Sequence, residues 1–150
     1  MAVVDAKVDS LKGAESRARF QAPGARVLVA DDMAANFELL QAILEMSGLN
    51  CDWAATGGEA LAMLRRTNYD LLLLDMHMPD LDGPEVVRRL RSDPGAHVPR
   101  IVVATADTWM ATSAEVMMIG ADGIFTKPID IAGLVTLIES LLRAGRPAAS

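Results

Sequence analysis

Cysteine is almost absent from this chain of 150 residues, since Cys51 is the only one. A single cysteine excludes an internal disulfide and fits a reducing compartment. No apolar run approaches the roughly 20 residues that span a membrane, and the N-terminus lacks the charged and then apolar segments of a signal peptide. We therefore expect a soluble, cytoplasmic protein with no membrane insertion.

Basic charge is also scarce. The formal net charge is −6 at pH 7 and the sequence has no basic patch, which disfavours nucleic acid as a partner. From Arg26 to Ser150, every Lys or Arg position is arginine except Lys127. This larger part of the chain therefore has one ammonium side chain, that of Lys127, and its position bears on the functional site predicted below.

The length of the chain predicts one domain, which buries about two-thirds of the surface of the unfolded chain. Residues 1–24 contain scattered charges, glycine and serine without a sustained apolar stripe, so we expect them to form a mobile extension. The domain is expected over residues 25–145, followed by a short tail over 146–150.

Short apolar segments alternate with amphipathic segments in the rest of the sequence. Leu71 to Leu74 are four leucines without polar alternation, which is typical of a strand buried on both faces of a parallel sheet. The predicted strands are Arg26–Ala30, Asn50–Ala55, Leu71–Leu74, Arg100–Ala104 and Gly123–Thr126, and the predicted helices are Met33–Ser47, Glu59–Arg66, Gly83–Ser92, Thr108–Ile119 and a fifth that follows Asp130. This alternation predicts a doubly wound α/β sheet with right-handed crossovers.

Polar residues follow four of the predicted strands. They are Asp31 and Asp32 after the first, Asp75 after the third, Thr105 after the fourth and Lys127 after the fifth. Taken singly, an aspartate there could simply cap the next helix. Because the carboxyl ends of parallel strands meet at the edge where ligands bind, four such ends together predict a functional site.

The residue types at these strand ends predict phosphoryl chemistry. Three clustered carboxylates form an oxygen-only site that suits Mg²⁺, and the absence of cysteine from the cluster makes zinc a poor fit. An aspartate is ionised at pH 7, so Asp75 needs no general base to attack phosphorus. Phosphoryl transfer asks mainly for positioning and charge neutralisation, which Mg²⁺, Lys127 and the Thr105 hydroxyl would supply.

The stretch from about Arg26 to Arg143 resembles the receiver domain of two-component response regulators. The residues that carry the resemblance are the Asp31-Asp32 pair, the segment from Asp75 to Gly83, Thr105-Ala106 and Lys127-Pro128. The resemblance implies a flavodoxin-like five-stranded sheet of order 2-1-3-4-5 with five helices. It also implies phosphorylation of Asp75 by a histidine kinase or a histidine phosphotransfer protein.

The resemblance further implies a role for each site residue. Mg²⁺ would be held by Asp32, Asp75 and the backbone carbonyl of His77, with Asp31 acting mostly through water. Lys127 would pair with the phosphoryl group and Thr105 would move toward it.

The sequence departs from the family at its switch position. Family members often have an aromatic residue three positions before the lysine, where this chain has Ile124. The neighbouring Phe125 should face the other side of its strand, so coupling through a rotating aromatic ring is not expected. His77 and Asp107 occupy positions that tune the lifetime of the phosphoryl group in the family.

The predicted helix over 108–119 is apolar on more than one face, and Glu115 is its only charged residue. Core packing accounts for one stripe, and ordinary surface hydrophobicity could account for the remainder. We favour a partner surface formed by Trp109, Met110, Val116 and Ile119, since methionine and tryptophan suit an adaptable docking face.

These observations favour a single-domain response regulator that acts as a phosphorelay or signalling switch on a downstream protein target. It would modify itself, so we do not expect a conventional enzyme. A receiver-like docking module that works without phosphate and a receiver fragment of a hybrid histidine kinase remain alternatives. A flavodoxin-like enzyme is disfavoured, because Asp31 and Asp32 would repel the phosphate of FMN.

Overall fold

The structure, a computed structural model, describes residues 24–105, 120–126 and 130–144. These residues form five strands, β1 (Arg26–Ala30), β2 (Asn50–Ala54), β3 (Leu71–Asp75), β4 (Arg100–Thr105) and β5 (Gly123–Thr126), and four helices, α1 (Ala34–Met46), α2 (Gly57–Arg66), α3 (Gly83–Ser92) and α4 (Ile131–Ala144). The helix predicted over 108–119, residues 1–23 of the extension predicted over 1–24, and the tail predicted over 146–150 lie outside the described residues. Among the helices that are described, none is long and apolar enough to cross a membrane.

The strands form one parallel sheet in the order β2-β1-β3-β4-β5. This confirms the flavodoxin-like order that the resemblance implied. The register places Ala30 beside Leu74, Asp75 beside Ala104 and Thr105 beside Thr126. The carboxyl ends of the central strands are therefore level with one another, which is the arrangement that a shared site requires.

The core lies on both faces of this sheet. On one face, Leu72 and Leu74 pack with Leu64 of α2 and Leu90 of α3. On the other face, Leu71, Leu73 and their neighbours pack with Leu40 and Leu44 of α1 and with Leu134 and Ile138 of α4. Alternate leucines of one strand thus face opposite layers, which explains why the segment shows no polar alternation.

The short strand β5 shows the same alternation. Ile124 packs against the face covered by α2 and α3, and Phe125 packs against the face covered by α1 and α4. The prediction that these two side chains face opposite sides of the strand is confirmed. An aliphatic residue therefore occupies the side where the family often has its aromatic switch.

The amino ends of the strands carry polar groups that bond to one another. The Tyr69 hydroxyl donates to a carboxylate oxygen of Asp52 at 2.7 Å, and the Arg26 guanidinium lies 5.5 Å from the centre of the Tyr69 ring. The backbone N–H of Arg26 donates to the Asp70 carboxylate at 2.9 Å. These contacts connect β1 and β2 to the residues that precede β3.

Cys51 lies on β2 and packs against the face covered by α1 and α4. Burial, with smaller effects from Glu45 and Asp52, raises the pKa of its thiol to about 12. At neutral pH the residue is therefore a protonated thiol, and the thiolate is the reactive form. This agrees with the interpretation of Cys51 as a packing residue.

Candidate functional site: a carboxylate cluster at the carboxyl edge of the sheet

Three aspartates from two neighbouring strands meet at the carboxyl edge of the sheet. Carboxylate oxygens of Asp31, Asp32 and Asp75 all lie within 4.8 Å of one another. Asp31 and Asp75 are only 4% and 8% exposed, whereas Asp32 is exposed. The cluster therefore has two buried members and one that opens to solvent, so an ion or a phosphoryl donor could approach from the side of Asp32.

The Asp31 carboxylate is held by the start of α1. One oxygen accepts the backbone N–H of Met33 at 2.9 Å, and the other accepts from the side-chain amide of Asn36 at 3.2 Å. Met33 is the N-cap residue of α1 and makes no side-chain cap bond itself. Asp31 is therefore not the N-cap residue that the simpler explanation predicted. Its carboxylate accepts the N–H of the N-cap residue and also belongs to the carboxylate cluster.

The backbone of Asp31 is held by β2. Its N–H donates to the carbonyl of Ala54 at 3.0 Å, and its carbonyl accepts from the indole N–H of Trp53 at 2.8 Å. The Trp53 ring stacks on Phe37 of α1, with ring centroids 5.4 Å apart and planes 10° from parallel. Two elements thus fix the position of this aspartate.

Asp75 is the last residue of β3, and the loop that follows folds back onto it. The His77 N–H lies 3.3 Å from one Asp75 carboxylate oxygen and donates to it. The Met76 N–H continues the ladder to Ala104, and the Met76 carbonyl accepts the N–H of Gly83 at 2.8 Å. A Cβ at Gly83 would lie 3.1 Å from the Met76 Cα and 3.2 Å from the Asp75 carbonyl oxygen, so a larger residue here would press on the backbone next to Asp75.

Asp80 fastens the same loop to α2. Its two carboxylate oxygens accept the backbone N–H groups of Gly57 and Gly58 at 2.9 and 2.8 Å. These bonds, chiefly the one from Gly58, hold the pKa of the Asp80 carboxyl below its usual value. The loop after Asp75 is therefore connected to a second helix as well as to its own strand.

The remaining predicted site residues divide into two groups. Thr105 ends β4, one position beyond the residue paired with Asp75, and is only 2% exposed. It therefore lies at the same edge of the sheet as the carboxylates. Lys127, Asp107 and the predicted partner surface of Trp109, Met110, Val116 and Ile119 lie outside the described residues.

The donor set of the cluster fits a hard divalent cation. It offers only oxygen ligands, which suit Mg²⁺, an ion that takes one or two protein carboxylates directly and fills its other positions with water or phosphate oxygens. Like charges at this spacing repel one another unless a cation lies between them. The geometry thus agrees with the predicted magnesium site in residue type and in spacing.

Sequence reasoning missed three residues that support this site. Trp53 lies within a predicted strand, Asn36 within a predicted helix and Asp80 within the segment that carries the family resemblance, and the sequence predicts none of the three as a site residue. Trp53 and Asp80 contact elements that are distant in sequence, and Asn36 is one of several polar residues of its helix. No local pattern therefore marks any of the three as a site residue.

Comparison with known proteins agrees with this geometry. The family model described as the response regulator receiver domain matches residues 27–139. The response regulator PleD of Caulobacter vibrioides is 40% identical over 120 residues, which are 79% of this chain and 26% of PleD. The aerobic respiration control sensor protein ArcB of Escherichia coli is 32% identical over 118 residues, which are 78% of this chain and 15% of ArcB.

Solved structures show the same fold. The receiver domain of Francisella response regulator 1452 superposes with a TM-score of 0.77 at 28% identity, over 82% of this chain and all of that domain. The curated relatives are much longer than the matched segment, so what their other parts do does not transfer to this chain. The parallel sheet, the aspartates at its edge and these matches lead to one conclusion: the chain belongs to the family of response regulator receiver domains.

Proposed function

We propose that this protein is a phosphorelay or signalling switch that accepts a phosphoryl group on Asp75. The donor would be the phosphohistidine of a histidine kinase or of a histidine phosphotransfer protein in the cytoplasm. The observation that carries the proposal is the cluster of Asp31, Asp32 and Asp75, whose oxygens lie within 4.8 Å of one another at the end of β3. A chain that served only for docking would have no use for three repelling carboxylates at this edge.

The proposed reaction transfers the phosphoryl group from nitrogen to oxygen. A carboxylate oxygen of Asp75 forms a bond to phosphorus while the bond between phosphorus and the donor imidazole nitrogen breaks. The electron pair of that bond stays on the imidazole, which takes up a proton from solvent. The product is an aspartyl phosphate on the protein itself, so the chain acts as its own substrate and is not a conventional enzyme.

The other site residues have positioning and electrostatic roles in this proposal. Asp31, Asp32, Asp75 and the backbone carbonyl of His77 would hold Mg²⁺, with Asp31 acting mostly through water. The bound cation supplies positive charge against the phosphoryl oxygens. The Thr105 hydroxyl would donate a hydrogen bond to a phosphoryl oxygen, and Lys127 would pair with another.

The test is the mass of the intact protein after incubation with acetyl phosphate, with and without MgCl₂. We expect a gain of one phosphoryl group that requires Mg²⁺ and is lost in Asp75→Asn. Asp70→Asn is the matched control, because Asp70 precedes the same strand at its opposite end and bonds to the Arg26 backbone. This control should be phosphorylated as the native protein is.

A negative result needs a second donor before it decides the question. If acetyl phosphate, a phosphorylated histidine phosphotransfer protein and beryllofluoride all leave the folded native protein unchanged, the phosphoacceptor proposal is wrong. The docking module without phosphate would then be the better description. A receiver segment of a longer sensor protein, as the match to ArcB suggests, would show the same chemistry on Asp75.

A further inference from the structure

The side chain of Trp53 joins β2 to the end of β1 beyond the sheet ladder. The ladder continues as far as the Asp31 N–H, which donates to Ala54 at 3.0 Å, and β2 then ends. The indole N–H of Trp53 donates to the Asp31 carbonyl at 2.8 Å. The peptide group on each side of the Asp31 Cα is therefore held by the same edge strand.

The position of the Trp53 ring is itself fixed by α1. Trp53 stacks on Phe37, with ring centroids 5.4 Å apart and planes 10° from parallel, and such ring pairs contribute beyond their buried area. Phe37 directly follows Asn36, whose amide donates to the Asp31 carboxylate at 3.2 Å. Rotation of the indole would therefore break its hydrogen bond to the Asp31 backbone and its stacking on α1, the helix that also carries Asn36.

We propose that Trp53 is a positioning residue for Asp31 and thereby sets the affinity of the carboxylate cluster for Mg²⁺. The inference rests on the proposed function, since it concerns the same cluster. Groups that orient metal-binding carboxylates are known to control metal affinity from outside the ligand set. Asp31 is only 4% exposed, so little solvent is available to replace a lost hydrogen bond to its backbone.

The first experiment compares Mg²⁺ binding by the native chain of 150 residues and by its Trp53→Phe variant, using isothermal titration with MgCl₂. Phenylalanine retains an aromatic ring beside Phe37 but lacks the N–H donor. We expect the dissociation constant for Mg²⁺ to be about tenfold higher in the variant. Loss of a group that orients a metal ligand weakens metal binding by about 10- to 100-fold, and this value is at the lower end of that range. Cys51→Ala is the matched control, because Cys51 lies on the same strand and packs on the same face and is not in the cluster; its dissociation constant should match the native one.

The second measurement separates positioning from a general loss of stability. At MgCl₂ below the native dissociation constant, Trp53→Phe should be phosphorylated by acetyl phosphate several-fold more slowly than the native protein. At saturating MgCl₂ the rate should return to within twofold of the native rate. A purely structural role would lower the urea midpoint and leave the affinity of the folded protein unchanged.

The possible outcomes distinguish the two proposals. If the native protein binds Mg²⁺ and is phosphorylated, while Trp53→Phe binds Mg²⁺ within twofold of native, the positioning role of Trp53 is wrong and the proposed function stands. If the native protein neither binds Mg²⁺ nor is phosphorylated by any donor, both proposals are wrong. Should Trp53→Phe fail to fold, site-specific replacement by benzothienylalanine removes the N–H while keeping the fused ring, and the same affinity criterion applies.

Discussion

At the scale of single residues, the site depends on how closely the backbone after Asp75 can approach the start of α3. Gly83 is the first residue of that helix, and its N–H donates to the Met76 carbonyl at 2.8 Å. The space beside its Cα is bounded by backbone atoms, which cannot rotate away as a side chain can. Glycine at this position therefore keeps the loop next to Asp75, the proposed phosphoacceptor.

Gly83→Ala should destabilise the protein, because its Cβ would lie 3.1 Å from the Met76 Cα and 3.2 Å from the Asp75 carbonyl oxygen. We expect a loss of about 1–3 kcal/mol in the free energy of unfolding, the usual cost of overpacking. Phosphorylation of the folded variant should also be slower, since the backbone at Asp75 and Met76 has to move. Urea unfolding and intact-protein mass measure the two effects.

Gly95→Ala is the control for this substitution. The nearest atom to its added Cβ would be an Asp93 carboxylate oxygen at 3.5 Å, which is an ordinary contact. Its stability should stay within about 0.5 kcal/mol of native, as for most surface changes. Equal stability of Gly83→Ala and Gly95→Ala would contradict the argument.

At the scale of elements, α2 is capped by two different parts of the chain. The Thr56 hydroxyl accepts the N–H of Glu59 at 3.1 Å, as a helix N-cap does. Asp80, from the loop after β3, accepts the two preceding N–H groups, those of Gly57 and Gly58. The N–H groups of Gly57 and Gly58 have no acceptor inside the helix. They donate instead to the loop that also contains His77.

Asp80→Ala should cost about 1 kcal/mol of stability at pH 7, as for the loss of an N-terminal cap. Because its pKa is lowered on folding, the carboxylate stabilises the protein above the usual aspartate pKa of about 4. That contribution is lost as the pH falls through the lower value of the folded state. Urea unfolding should therefore show the difference between native and variant narrowing below about pH 4.

Asp80→Asn separates charge from geometry at this position. It keeps one oxygen acceptor for the helix but has no titrating carboxyl, so its stability should lie between those of native and Asp80→Ala at pH 7. Its difference from Asp80→Ala should change little with pH in the acidic range. A difference between native and Asp80→Ala that is constant from pH 7 to pH 3 would refute the capping role.

At the scale of the whole molecule, the fold concentrates negative charge where the core ends. The sheet is covered on both faces by apolar side chains, and the carboxylate cluster lies at its carboxyl edge. Mutual repulsion of the three aspartates opposes folding, and a cation that binds only the folded state opposes that repulsion. The free energy of unfolding should therefore depend on whether a cation is bound at the carboxylate cluster.

Addition of MgCl₂ at a hundredfold excess over its dissociation constant should stabilise the native protein by about 2.7 kcal/mol. Asp32→Asn should be more stable than native without Mg²⁺, because one of three like charges is removed, and should gain much less stability when Mg²⁺ is added. Urea unfolding with MgCl₂ or EDTA measures both effects. Asp70→Asn, at the opposite end of β3, should respond to Mg²⁺ as the native protein does.

The sequence by itself determined the elements and the chemical character of the site. Apolar runs such as Leu71 to Leu74 predicted the strands, and the carboxylates that follow them predicted an acidic edge. The strand order came with the resemblance to a known family and is confirmed by the sheet. These features can be predicted from the sequence because a run of apolar residues, and the polar residue that follows it, are local properties of the chain.

The tertiary structure alone decided which side chains support the site. Trp53 meets Asp31 across 22 residues, and Asp80 meets Gly57 across 23. Neither pairing leaves a periodicity or a motif in the sequence, because each depends on how one element packs beside another. The position of an aspartate at a strand end is set by local pattern, and the carboxylate of Asp31 is held by residues close in sequence. The backbone of Asp31 is held by distant neighbours, Trp53 and Ala54, that only the packed molecule brings into contact.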